Sequence, residues 1–183
     1  MSSFEVYFSF FGLLLGLSVA QVANGIGHAL VARKSITFGW LTPLLAIFVL
    51  LDISSFWVWA WGGREVIDVN YASIHVGLIV TIAYYVAAVL LFPLPSGNWE
   101  KLDEHYWSNK RLVVGGIMLA NAIVVTHGLV TRPELLTLLR FWLLQPLYWL
   151  PLIVMLFSRR RGIDLACLGI LIIGYLLASI PQA

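Results

Sequence analysis

The sequence predicts an all-α integral membrane protein with six transmembrane helices, a short interfacial helix near 99–109, and halves (4–92 and 110–181) that carry marks of two inverted three-helix repeats. Three observations predict it. Of 183 residues, 61% are hydrophobic and only 11% charged, where a soluble domain carries about 25% charged residues. Six apolar runs are long enough to cross a bilayer, which takes about 20 residues each. The connections are too short to hold a soluble domain, so 1–183 reads as a single transmembrane domain.

The runs fall at 5–32, 38–61, 69–92, 110–131, 134–157 and 163–181. The first is too long for the apolar region of a cleaved signal and lacks a basic segment before it, so it reads as a span that stays. Arg33-Lys34-Ser35 turns span 1 into span 2, and Gly62-Gly63-Arg64-Glu65 leaves span 2. Pro93 and Pro95 end span 3. Asn98 can then cap a short helix in which Trp99, Leu102 and Tyr106 share a face, the pattern of a helix lying on headgroups. Thr131-Arg-Pro133-Glu134 has the spacing of a capping box with a proline in the first turn, and reads as the start of span 5. Pro146 and Pro151 should kink that span. Arg159-Arg160-Arg161-Gly162 precedes span 6.

Lys and Arg are unevenly shared between the two sides. Arg33, Lys34, Lys101, Lys110, Arg111, Arg159, Arg160 and Arg161 fall on one side; Arg64, Arg132 and Arg140 fall on the other. The richer side belongs in the cytoplasm, which puts both termini in the periplasm. Trp40, Trp57, Trp59, Trp61, Trp99 and Trp107 lie near span ends, as an aromatic belt requires. The repeat is drawn from His28-Ala-Leu-Val-Ala-Arg33 against His127-Gly-Leu-Val-Thr-Arg132, Pro43 against Pro146, and Ile82-Ala-Tyr84 against Ile173-Gly-Tyr175. Halves of three spans each would be inverted relative to one another.

Several stretches carry a resemblance when taken together: Gly16-Leu-Ser-Val-Ala with Gly25-Ile-Gly-His28, Phe56-Trp57-Val-Trp59-Ala-Trp61-Gly-Gly-Arg64, Tyr84-Tyr85-Val-Ala-Ala with Leu91-Phe92-Pro93, and Leu102-Asp-Glu-His-Tyr106-Trp-Ser-Asn-Lys110-Arg111. Over the first two thirds of its length the chain resembles an uncharacterised family of small six-span bacterial inner-membrane proteins. The resemblance implies six spans and a bacterial inner (cell) membrane. It implies no activity for any residue.

Polar groups inside apolar runs are the candidates for function, because unpaired polar groups in hydrocarbon cost several kcal/mol. Asp52 stands alone in Leu50-Leu51-Asp52-Ile53, and Arg140, at a similar depth from the outer side, is its natural partner. Ser18, Gln21, Asn24, Gly25 and His28 recur at steps of three and four and so share a helical face, expected to look inward and bond across to span 4. Asn121, His75 and His127 complete the set, with His105 read as a solvated interfacial residue. The binding or transport candidates are therefore Asp52, Arg140, Gln21, Asn24, His28, His75, Asn121 and His127. Small residues (Gly12, Gly16, Ala20, Ala23 and Gly27 in span 1, Gly115-Gly116 and Ala120 in span 4) permit close helix contact.

No nucleophile elbow, phosphate loop, zinc-protease helix or paired-cysteine site is present, so no catalytic residue, metal site or cofactor is assigned. One cysteine, Cys167, excludes an internal disulfide. A net charge of +2, dispersed, does not suit a nucleic-acid binder. The partners expected are the lipid bilayer, a small solute or ion, and a second copy or a larger membrane complex. The reading that follows first is a small transporter or channel-like protein for an ion, proton or small solute. The alternatives are a membrane binding or sensory module or complex subunit, and a membrane haem or metal redox protein using His75 and His127.

Overall fold

The computed structural model describes residues 2–32, 39–65, 69–93, 99 and 102–179. Six α-helices account for most of them: α1 (Ser3–Val31), α2 (Leu41–Gly62), α3 (Tyr71–Leu91), α4 (Leu102–Thr131), α5 (Leu139–Phe157) and α6 (Arg161–Ala178), with a 3-10 turn at Pro133–Thr137. All but α5 are long and apolar enough to cross a membrane; in α5 the apolar stretch, Phe141–Phe157, is shorter. The outer surface agrees with a membrane protein. Leu13, Val31, Val58, Leu139 and Phe157 are each at least 73% exposed, a degree of apolar display that suits lipid rather than water.

Local signals set the ends. Ser2 and Glu5 form a capping box on α1, the Glu5 amide donating to Ser2 Oγ at 3.2 Å and the Ser2 amide to Glu5 Oε2 at 2.7 Å. Asn70 and Ser73 do the same for α3. Thr131, in contrast, does not open span 5. Its hydroxyl donates back to the His127 carbonyl at 2.9 Å and so closes α4. Pro133–Thr137 then forms the 3-10 turn, and α5 begins at Leu139.

The expected interfacial helix near 99–109 is corrected by the fold. From Leu102 the chain runs as one helix of 30 residues to Thr131, and Leu102 and Tyr106 are buried. The amphipathic pattern was real, but its apolar face meets protein instead of headgroups. Nothing between 102 and 131 breaks a helix; the pair Gly115-Gly116 weakens it without ending it.

α3 is the central strut, packed closely along both α1 and α4, while α6 lies against α2 and α5. Glycines set the closest approaches. A Cβ on Gly12 would lie 2.7 Å from the Trp57 ring, and one on Gly77 2.7 Å from Phe11. At the α3–α4 contact a Cβ on Gly116 would lie at ordinary distance, 3.5 Å, from the Ala83 carbonyl. One expectation fails here. α1 makes no close backbone approach to α4, so its polar face does not bond across to span 4. The halves are also packed differently: α1 lies along α3, whereas α4 and α6 do not approach one another in the same way.

A buried carboxylate and a buried ion pair

α2 buries Leu45, Phe48, Val49, Asp52 and Ile53, a face repeating every three to four residues. A carboxylate therefore stands in a row of core side chains, fully buried. Gly62 ends α2 ten residues later, about 15 Å along the axis. That is half the thickness of a hydrocarbon core about 30 Å deep.

Four helices send a neutral donor to it. Tyr84 Oη of α3 and Asn121 Nδ2 of α4 donate to Oδ2 at 2.8 and 2.9 Å. Tyr148 Oη of α5 and Tyr175 Oη of α6 donate to Oδ1 at 2.9 and 2.5 Å. Each carboxylate oxygen thus accepts two hydrogen bonds. The Asn121 amide also donates to Tyr84 Oη at 3.2 Å and to the Ile117 carbonyl at 3.1 Å. Ser55 Oγ donates to the Asp52 carbonyl at 2.8 Å and lies 3.4 Å from Tyr175 Oη. Every donor described is uncharged. Charge–dipole bonds of this kind lower the energy of the anion without cancelling its charge.

Arg140, the partner expected from the sequence, lies in the first turn of α5. The α5 residue that reaches Asp52 is Tyr148, eight residues on, about 12 Å further along the axis. The depth expected for Arg140 assumed a helix from 134; the 3-10 turn uses those residues instead. Its side chain lies outside the described residues.

Above this cluster, toward the Gly62 end of α2, is a cavity of about 260 Å³. Ser55, Phe56, Trp59, Asn121, Phe141 and Gln145 line it. It reaches Ser55 and Asn121, which touch the Asp52 cluster, and stops one side chain short of the carboxylate.

A second buried charge cluster lies at the opposite end of α4 and α6. Lys110 Nζ is 2.6 Å from Asp164 Oδ2 and donates to the Ser158 carbonyl at 2.6 Å. The two side chains are 3% and 0% exposed. Tyr106 Oη donates to the same Oδ2 at 2.8 Å, and the ammonium sits 4.3 Å from the centre of the Trp107 ring. Asp164 Oδ1 is buried with no hydrogen-bond partner among the described residues. Lys110 and Asn121 are eleven residues apart on α4, as are Asp164 and Tyr175 on α6. Eleven residues are three turns, so each helix presents both clusters on one face about 16 Å apart. Ile117, Leu168 and Leu171 fill the gap.

The other candidates are not gathered at Asp52. On α1 the buried face runs through Phe11, Leu15, Ser18, Val22, Gly25 and Ala29. Ser18 and Gly25 face inward as expected. Gln21, Asn24 and His28 are turned off that face and line a cleft with Phe92, Pro93 and Trp99. His75 is exposed, its Nδ1 2.7 Å from the Tyr71 carbonyl. His127 meets Trp59 edge-on, with ring centres 6.3 Å apart. Among the described residues no three His, Cys, Asp or Glu side chains converge. His105, expected in solvent, is partly buried and donates from Nε2 to the Leu90 carbonyl at 2.9 Å.

Of the residues singled out in the sequence, Asp52 and Asn121 are brought together. Tyr148 was not expected as a ligand, Tyr84 and Tyr175 stood only as repeat markers, Lys110 counted as a loop charge, and Asp164 was not singled out. A signal existed for each: Tyr84 and Tyr148 stand inside their spans, Tyr175 follows an apolar run near the end of α6, and Asp164 opens that run. Against known proteins, the chain matches no family model, no curated protein and no solved structure.

Proposed function

We propose that this is a small transporter or channel-like protein of a bacterial inner membrane, in which Asp52 binds a proton or small cation in transit. One observation carries the reading: a carboxylate halfway along α2, held among the described residues by neutral donors, one side chain below a cavity. An isolated carboxylate in a low-dielectric interior is strongly disfavoured, and an ionisable group within a membrane span marks an ion pathway by default. Four hydrogen bonds offset much of that cost, yet the net charge remains. A proton or cation entering from the cavity neutralises it.

The test is flux. Purified protein in liposomes, given an imposed pH gradient or potential, should dissipate it faster than empty vesicles, and Asp52→Asn should lose most of that rate. Wild-type vesicles no leakier than empty ones would sink the reading.

Saturation of both carboxylate oxygens favours a second reading. Here Asp52 is a knot tying α2 to α3, α4, α5 and α6, within a membrane binding or sensory module or a subunit of a complex. Loss of melting temperature in Asp52→Asn, with no flux in wild type, would select it. The haem or metal reading with His75 and His127 is tested by the visible spectrum of the purified protein.

The finer membrane arrangement belongs to the same proposal. α5 counts as the sixth span, its ends carried by the adjoining turn, and the excess of Lys and Arg on one side supports periplasmic termini. Tyr84 and Tyr175, matched in the repeat, each donate to a different oxygen of Asp52. That pairing supports an inverted relation near the site. The unlike packing of α1 on α3 and α4 with α6 stands against extending it to whole halves.

A further inference from the structure

We infer that the cavity above Asp52 is a binding site for a small organic ammonium ion. The inference rests on Asp52 as the charge-binding group and names the class of cation. The floor of the cavity offers acceptors. Asn121 spends its amide nitrogen on Asp52, Tyr84 and the Ile117 carbonyl, which leaves its Oδ1 to accept. Ser55 spends its one proton on the Asp52 carbonyl, so toward the cavity its oxygen can only accept. Under this floor lies the Asp52 carboxyl group, and no lining residue among those described carries a charge.

The walls are aromatic. Phe56, Trp59 and Phe141 come from α2 and α5, and ring faces attract cations, most strongly alkylammonium ions whose weak hydration lets them leave water. Gln145 Oε1 accepts from Trp149 Nε1 at 2.6 Å, which fixes the amide with its nitrogen free to donate, a match for an oxygen elsewhere on the ligand. A volume of about 260 Å³ is at the small end of ligand sites. Acceptors below, rings around and a negative charge beneath fit a donor-only cation with an apolar shell. A bare inorganic ion would leave the rings unused, and an anion would meet the field of Asp52.

Binding is read on the intact protein in lipid nanodiscs, by tryptophan emission and melting temperature, with methylammonium and tetramethylammonium as probes. Potassium at equal ionic strength and tert-butanol serve as the charged and neutral controls. A saturable rise in melting temperature with the ammonium ions, absent with both controls, is the expected result. Trp59→Leu should weaken binding by about tenfold, and Asp52→Asn should erase the preference for the cation over tert-butanol. If Asp52→Asn does not fold, Trp59→Leu carries the test by melting temperature alone. No saturation up to about 100 mM, an equal response to potassium or tert-butanol, or unchanged affinity in Trp59→Leu would overturn the inference. Vesicle flux without ammonium binding overturns this inference and leaves the transport reading standing. Ammonium binding without flux does the reverse.

Discussion

Replacing Lys110 by Met should destabilise the protein more than replacing Lys110 and Asp164 together. The pair is 3% and 0% exposed, so solvent screening hardly discounts it. Without the ammonium, Asp164 keeps only Tyr106 on Oδ2, and Oδ1 has no partner described. A buried charge stripped of its counter-ion costs about 3–5 kcal/mol. In a chain of this size each kcal/mol moves the melting temperature by roughly 2–4 °C, so Lys110→Met should fall by about 6–20 °C. Asp164→Leu alone should cost somewhat less, because Lys110 retains the Ser158 carbonyl and the Trp107 ring. The double variant Lys110→Met with Asp164→Leu removes both charges and leaves chains of similar bulk, and should recover most of the loss. Thermal unfolding of the four proteins in one detergent closes the cycle. Single effects that add to within about 0.5 kcal/mol would show that the two groups do not depend on each other, and would refute the reasoning.

Tyr148→Phe and Tyr175→Phe each remove one donor from Asp52 Oδ1 and should cost about 1–3 kcal/mol; the double variant, which leaves that oxygen bare, should exceed their sum in the same unfolding assay. Gly77→Ala should lower stability by about 1–3 kcal/mol, because its Cβ would press on Phe11 at 2.7 Å, whereas Gly116→Ala, with 3.5 Å of room, should be near neutral. Thr131→Ala should leave the start of α5 intact in amide exchange, since Thr131 closes α4; deprotection of residues 139–142 would contradict that. A reporter fused after Ala183 should behave as periplasmic and one inserted near Ser96 as cytoplasmic; the opposite result would reject the charge-based orientation.

The long features of this fold were legible because length and apolar content write them directly. The spans expected at 38–61 and 69–92 are α2 at Leu41–Gly62 and α3 at Tyr71–Leu91. Asp52 was legible because a lone acid in an apolar run has no other explanation. Its ligands were not, because a tyrosine is both apolar body and polar tip, and sequence does not say which end matters. The polar row of α1 shows a further limit. Gln21, Asn24 and His28 do share a side, but spacing fixes their relation to each other and not the rotation of the helix against its neighbours. One residue turns the face by about 100°, and the buried row runs through Val22, Gly25 and Ala29 instead. Residues 102–109 failed in the same way. Periodicity revealed an apolar face without saying whether lipid or protein would cover it. Lys110 and Asp164 were hidden by their surroundings, since charges at the edge of Arg-rich connections read as loop charges.

The spread of the Asp52 ligands along the chain has a consequence for biosynthesis. Tyr84, Asn121, Tyr148 and Tyr175 follow Asp52 by 32, 69, 96 and 123 residues. At about 5–20 residues per second, Asp52 is made roughly 6–25 s before the last donor. During that interval the acid has no finished shell, so α2 cannot rest in lipid as an ionised, fully bonded helix. It must wait protonated, or at a wet insertion site, until α6 arrives. Release of α2 into the bilayer is then tied to completion of α6, and a ribosome stalled before α6 would leave a recognisable orphan: an apolar helix with an unsatisfied acid at its centre.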